Sequence, residues 1–147
     1  MSRFDKYMAI PFIEGGRDFS GVDCFGLYAL IVATELGLPV PDPRVSFGRN
    51  GARTVLAAFA AEVARGAWIE VKTPRIFDAV RMSGFHVVRG EAHKSESHVG
   101  CYDGTGYVIH TELQTGPRRM PVEDPEIGPR LRGFFRPAVL LNLPLAA

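Results

Sequence analysis

The chain has 147 residues, 46% of them apolar, with 17 basic and 16 acidic side chains. That composition suits one globular domain with one ordinary core, and it excludes disorder and any long-range attraction to nucleic acid or anionic lipid through net charge. No segment approaches the roughly 20 apolar residues of a membrane span.

The N-terminus, MSRFDKYMAIPF, lacks the uninterrupted apolar core of a signal peptide. The chain is therefore expected to be made in the cytoplasm and, if exported, to leave by another route. Residues 15 to 21, GGRDFSG, form a flexible approach, after which Asp23 can cap a helix. The apolar positions Leu27, Leu30, Ile31 and Leu36 recur at helical spacing, and Gly37 and Pro39 stop the helix. The prolines of PVPDPRVSFGRNG predict an extended surface connection. A second amphipathic helix follows from about Ala52 to Arg65, with Val55, Leu56, Phe59 and Val63 on one face and Gly66 as its stop.

From Trp68 onward the pattern is β-rich: WIEV, IFDAVRM, FHVV, HVGCY, YVIHTEL, RGFFRP and AVLLNL. RGEAHKSES reads as a polar loop whose length and charge predict mobility. Helices followed by strands predict a single α+β domain over residues 1–147, its N-terminal helices packed on one face of a five- to six-stranded antiparallel sheet. Arg118, Arg119, Arg130, Arg132 and Arg136 make the C-terminal quarter basic, a pattern that reads as a solvated face or a protein contact rather than a nucleic-acid site.

Both cysteines, Cys24 and Cys101, read as thiols, because a domain of this size needs no covalent staple. An isolated Cys24 would read as a small buried hydrophobe. Its place after a glycine-rich lead-in, at a helix start, argues otherwise. There, unpaired amides and the helix dipole favour the thiolate of a group whose free pKa is about 8.5. Asp23 opposes that shift, so an imidazole is needed nearby. Gly26 leaves room for another backbone or a substrate to approach the helix start.

HVGCYDGTGYVIH, residues 98 to 110, is a hairpin signature with a histidine at each outer end. A loop of Asp103, Gly104 and Thr105 would pair Tyr102 with Gly106 and therefore His98 with His110, Cβ atoms about 5 Å apart on one face. Cys101 then points to the opposite face, as core, and a disulfide to Cys24 is not expected. Two opposed histidines with Cys24 could also bind zinc, but without HExxH or CxxC spacing that reading ranks below catalysis, and no metal or cofactor is expected. His86, in an apolar strand, and His93, in the charged loop, read as incidental. The combination describes a cysteine hydrolase. Cys24 is its nucleophile, His98 its base and His110 the group that orients His98, with the Cys24 amide as first oxyanion donor.

PFIEGGRDFSGVDCFGL, FDAV, HVGCY and YVIH, over about residues 10 to 112, resemble the NlpC-type cell-wall cysteine peptidases. His110 lies twelve residues after His98, the family's common spacing. The resemblance implies a papain-like α+β fold and hydrolysis of peptidoglycan stem peptides, typically between D-glutamate and a diamino acid such as diaminopimelate. GGRDFSGVDCFGLY is similar to versions encoded beside phage tail genes. That implies a place on a phage-like tail tip, with tail-tip or hub proteins as partners and the target cell envelope as the site of action. Two positions depart from the family. Phe12 replaces a tyrosine whose hydroxyl assists the oxyanion, and Phe25 replaces a small serine, reshaping the mouth of the site. Two other readings remain: a structural tail-tip subunit with little chemistry, or an amidase or acyltransferase using the same thiol.

Overall fold

A computed structural model describes residues 2–42, 52–88, 91–141 and 143, with backbone alone at 52–56, 84–88 and 91–97. A short 3-10 turn at Asp5–Tyr7 and a ribbon of β1 (Arg17–Asp18) and β2 (Gly21–Val22) lead into α1 (Cys24–Leu36). Asp23 caps α1 by accepting from the Gly26 amide, and Gly37 ends it at φ 68°, its N–H bonded to the Ala33 carbonyl. Glycine meets that left-handed geometry without steric cost. The second helix, α2 (Ala52–Ala64), is followed by Gly66 at φ 81°.

Six strands follow: β3 (Trp68–Val71), β4 (Ala79–Val88), β5 (Glu91–Tyr102), β6 (Tyr107–Glu112), β7 (Gly116–Pro121) and β8 (Leu131–Pro137). They form one sheet in the order β3-β8-β4-β5-β6-β7, with every pair antiparallel. The predicted α+β architecture is therefore present.

The sheet is covered on both faces. Ala79, Cys101, Ile109 and Phe135 pack with Phe25, Leu27, Tyr28 and Ile31 of α1. A smaller cluster of Val80, Met82, Val108 and Ile127 lies on the other face. Two buried polar tips in the larger cluster are satisfied. Tyr28 donates to the Phe77 carbonyl at 2.7 Å, and the Trp68 indole N–H donates to Glu62 at 2.6 Å. Strand alternation places His98 and Gly100 on the second face, away from Val99 and Cys101. Cys101 is fully buried in the larger cluster and neither cysteine is in a disulfide, as the hairpin pattern predicted.

Several local expectations are corrected. The β5–β6 turn is longer than predicted: Tyr102 pairs with Val108 and Cys101 with Ile109, so His110 stands opposite Gly100 rather than His98. The Asp103 carboxylate accepts from the amides of Thr105 and Tyr107, and Gly104 and Gly106 take φ 89° and 97°, which accommodates the wider loop. Because the displacement is by two residues, each side chain keeps its face.

In RGEAHKSES, the part from Glu91 onward is strand, with Val88 paired to Glu91 and Gly84 to Ser95; Arg89 and Gly90 lie outside the described residues. Backbone pairing holds this ribbon, and a polar composition does not forbid it. The described residues of AVLLNL, 138–141 and 143, are not strand. After Pro137 the Ala138 amide bonds the Ala67 carbonyl, and a 3-10 turn at Ala138–Leu140 buries Leu140. GPRRMP, not anticipated, is the edge strand β7, with prolines near its ends where ladder donors can be spared. Residues 43–51 of the proline-rich connection, and the side chains of His86 and His93, lie outside the described residues.

The basic C-terminal quarter is not simply a solvated face. Arg136 makes a bidentate pair with buried Asp78 at 2.8 and 2.7 Å, and Arg119 pairs with Asp103 at 2.6 Å. Arg130 is buried as well. Composition alone cannot reveal this, because each partner lies at least 16 residues away in the chain.

Candidate active site

The helix start is built first. The Gly16 carbonyl lies so close to Gly26 that a Cβ there would collide with it. The room left by Gly26 is thus filled by the lead-in backbone. Asp23 is fully buried and accepts from the Gly15 amide at 3.1 Å, the Gly26 amide at 2.7 Å and Arg17 Nη1 at 2.8 Å. Arg17 also bonds Asp42 through Nε at 3.0 Å, and its guanidinium lies over the Phe25 ring at 5.3 Å. The glycine-rich stretch is therefore a clamp that closes on a carboxylate cap.

Two other predicted site residues are placed by this clamp. Phe12 makes a parallel bridge with Val22. Phe25 is buried in the larger core cluster, its ring 6.5 Å from Trp68, so its bulk serves the core rather than shaping a mouth.

Cys24, the first residue of α1, is 4% exposed. Burial, then the Asp23 charge, pushes its thiol well above the ordinary range, while the amides of Val99 and Phe25 and the charge of Arg17 favour the thiolate. The Val99 contact places the sulfur against β5 at the residue next to His98. Burial outweighs the helix-start effect, so the resting thiol keeps its proton.

His98 and His110 meet directly. His98 Nε2 and His110 Nδ1 are 2.9 Å apart, with ring planes at 81°. Gly100 makes this diagonal contact possible, since a Cβ there would stand 2.9 Å from the Ile109 carbonyl oxygen and 3.0 Å from the His110 Cβ. Burial lowers both imidazoles from the ordinary value; for His98 the Arg130 charge adds to it, and for His110 the His98 neighbour adds to it while Glu112 opposes. Both rings are therefore neutral at rest.

A pH dependence of stability follows. With the folded-state values depressed below 6.5, the unfolded chain binds more protons as pH falls, so stability is full above about 6.5 and declines below it. Each ring contributes about 2 kcal/mol of loss at pH 5. Carboxylates held low, such as Glu35 at about 2, titrate in the unfolded chain near 4.5 and act lower on the scale. Chemical denaturation at pH 7.5 and pH 5 is expected to show this loss. A His98→Gln/His110→Gln variant is expected to be flatter over that window, and an equal slope in the two proteins contradicts the assignment.

Beneath the pair, Glu112 Oε1 lies 3.8 Å from His110 Nδ1. Arg130 holds the Glu112 carboxylate through both Nη atoms, at 3.2 and 2.8 Å, and anchors its own Nε on the Ser83 carbonyl at 2.7 Å. His98, His110 and Glu112 bring three potential ligand atoms within 4.8 Å of one another. Arg130 occupies the carboxylate and Arg118 lies 4.0 Å from it, so a divalent cation would enter beside two guanidinium charges. That electrostatic arrangement opposes metal binding. Sequence reasoning missed Arg17, Glu112 and Arg130. Glu112 shares a face with His110 at spacing two and was within reach of pattern reading, whereas nothing local marks Arg130.

Neither a scan against protein-family models nor a search of curated proteins finds a match. Among solved structures, the chain is similar to the NlpC/p60 domain of the peptidoglycan hydrolase SagA, with TM-score 0.52 and 20% identity over 88% of each chain. It is also similar to an NlpC/p60 family protein from Bacillus cereus, with TM-score 0.54 and 21% identity over 87% of this chain and 35% of that one. A third similar structure, from Staphylococcus aureus, is described as similar to lipoprotein, NLP/P60 family; its TM-score is 0.56, with 19% identity over 89% of this chain and 37% of that one. The chain thus spans little more than a third of the length of the latter two proteins. It has the NlpC/p60 fold, an α+β papain-like arrangement.

Proposed function

We propose that residues 1–147 act as one cysteine peptidase domain on peptidoglycan stem peptides, with Cys24 as nucleophile, His98 as base and His110 as its orienting group. One observation carries this reading. A helix-start thiol lies against β5, the strand that carries His98, and His98 is hydrogen-bonded to His110 of β6, within a fold shared with a peptidoglycan hydrolase domain.

His98 Nε2 is committed to His110, which leaves Nδ1 to take the thiol proton once substrate brings the sulfur, held against the Val99 amide on the α1 side of β5, to the ring. The sulfur then attacks the scissile carbonyl, and the developing oxyanion is met by the Cys24 amide. His98 returns the proton to the leaving amine, and water, deprotonated by His98, releases the acyl group from sulfur. Because thiol and imidazoles are neutral at rest, the nucleophile is made by proton transfer when substrate engages.

The bond of choice is that between D-glutamate and the diamino acid, and the place of work is a phage-like tail tip, opening the wall locally. Support for the bond is the resemblance of the motifs over residues 10 to 112 to NlpC-type peptidases, and support for the place is the likeness of GGRDFSGVDCFGLY to versions encoded beside phage tail genes. Mass spectrometry of muropeptides after treatment of purified sacculi tests the reading. Stem peptides cut at that bond on intact glycan are expected, and cleavage of glycan instead overturns it. A structural subunit with little chemistry is favoured by the burial of Cys24 and by the phenyl ring at Phe12. An unchanged muropeptide profile would select it.

A further inference from the structure

We propose that Glu112, clamped by Arg130, is a positioning residue of the histidine pair, the two buried charges together setting how readily His98 and His110 accept the proton released by Cys24. This rests on the peptidase reading above, but its test does not require turnover.

The placement is specific. Glu112 is two residues beyond His110 on the same strand, its carboxylate 3.8 Å from His110 Nδ1. Arg130 comes from the turn just before β8, and its Nε is held by Ser83 where the β4–β5 register shifts between Met82 and Gly84. Glutamate and arginine are each less than a tenth exposed, so neither charge is screened as it would be in water. An imidazole pair that must become cationic during the reaction therefore has an attractive and a repulsive charge beside it.

The two act in opposite senses: Arg130 disfavours the charged form of both rings, and Glu112 favours that of His110. Their direct pairing balances these effects. A further charged group nearby is Arg118 on β7, 4.0 Å from Glu112 and paired with Glu126 at 3.3 Å; the Cys24 thiol, on α1, meets β5 at the Val99 amide. A buried ion pair is weak evidence for a stabilising role, and hydrophobic pairs of similar volume often serve the fold as well. Its retention against the two rings is better explained by the charge they must carry.

The test is the protonation of His98 and His110, followed by NMR of the imidazole resonances across pH, in the parent and in two variants. Arg130→Gln removes the cation bonded to both oxygens of the Glu112 carboxylate and is expected to raise the midpoint of the pair by about one unit or more. Glu112→Gln leaves the cation unbalanced and is expected to lower the midpoint or remove it from the range in which the protein is folded. An unchanged or lowered midpoint in Arg130→Gln, or a raised one in Glu112→Gln, overturns the inference. Should a single variant fail to fold, Glu112→Gln/Arg130→Gln carries the test. With both charges gone its midpoint is expected within about half a unit of the parent, and a shift of about one unit or more overturns the proposal. Opposite shifts in a protein that digests no cell wall would uphold this inference while removing the peptidase reading, and the reverse outcome separates them as clearly.

Discussion

Replacing Cys24 by alanine is expected to reduce stem-peptide hydrolysis by about four orders of magnitude or more, while unfolding shifts by about 1 kcal/mol at most. The first effect follows from chemistry: without sulfur there is no acyl intermediate, and the imidazole pair has no proton to take. The second follows from packing. Cys24 is buried but belongs to neither apolar cluster, and its backbone stays in the first turn of a capped helix. Cys101→Ala supplies the contrast. That side chain sits fully buried beneath α1, so its loss is expected to destabilise by about 1–2 kcal/mol and to leave hydrolysis intact. Rates of muropeptide release, measured beside denaturant unfolding, check both variants. Hydrolysis retained by Cys24→Ala removes the proposed mechanism.

Asp23→Ala is expected to be the most damaging substitution at the site for stability, costing about 3–5 kcal/mol. The carboxylate accepts from the Gly15 and Gly26 amides and from Arg17, all at a fully buried position. Alanine orphans two amides, removes the helix cap and leaves the guanidinium of Arg17 without its buried partner. Asn at the same position keeps an acceptor for the cap, so about half of the loss is expected to return. Because the Asp23 charge pushes the Cys24 thiol upward, Asp23→Asn is also expected to make that thiol react at lower pH than the parent. Denaturant midpoints and the pH profile of alkylation measure the two effects separately. A profile unmoved or displaced to higher pH would refute the electrostatic role assigned to Asp23.

The same residue shows how far linear reasoning reaches. That Asp23 caps a helix was legible from its place before an apolar 3.6-residue period, because capping and periodicity are local properties. The hairpin was legible for the same reason, as was the opposition of Cys101 to His98, since alternation survives any even change of register. The register itself was not. It depends on how Asp103 and its two left-handed glycines close the turn, and the structure puts Gly100 where His98 was expected opposite His110. Diagonal contact across Gly100 then restores the meeting of the two rings.

By itself, the sequence determined that two helices precede a β-rich half, the thiol at a helix start, and two histidines on one face of neighbouring strands. Each of these rests on contacts within a few residues or across one turn. Tertiary structure alone decided that Gly26 serves the Gly16 backbone, that Phe25 belongs to the core, and that Arg130 lies beneath the histidines rather than in water. It also decided protonation. A helix start favours a thiolate and a free imidazole titrates near neutrality, but burial from every side reverses the first tendency and suppresses the second. Desolvation is a sum over the whole surrounding shell, assembled from segments far apart in the chain, and no local pattern of residues encodes that sum.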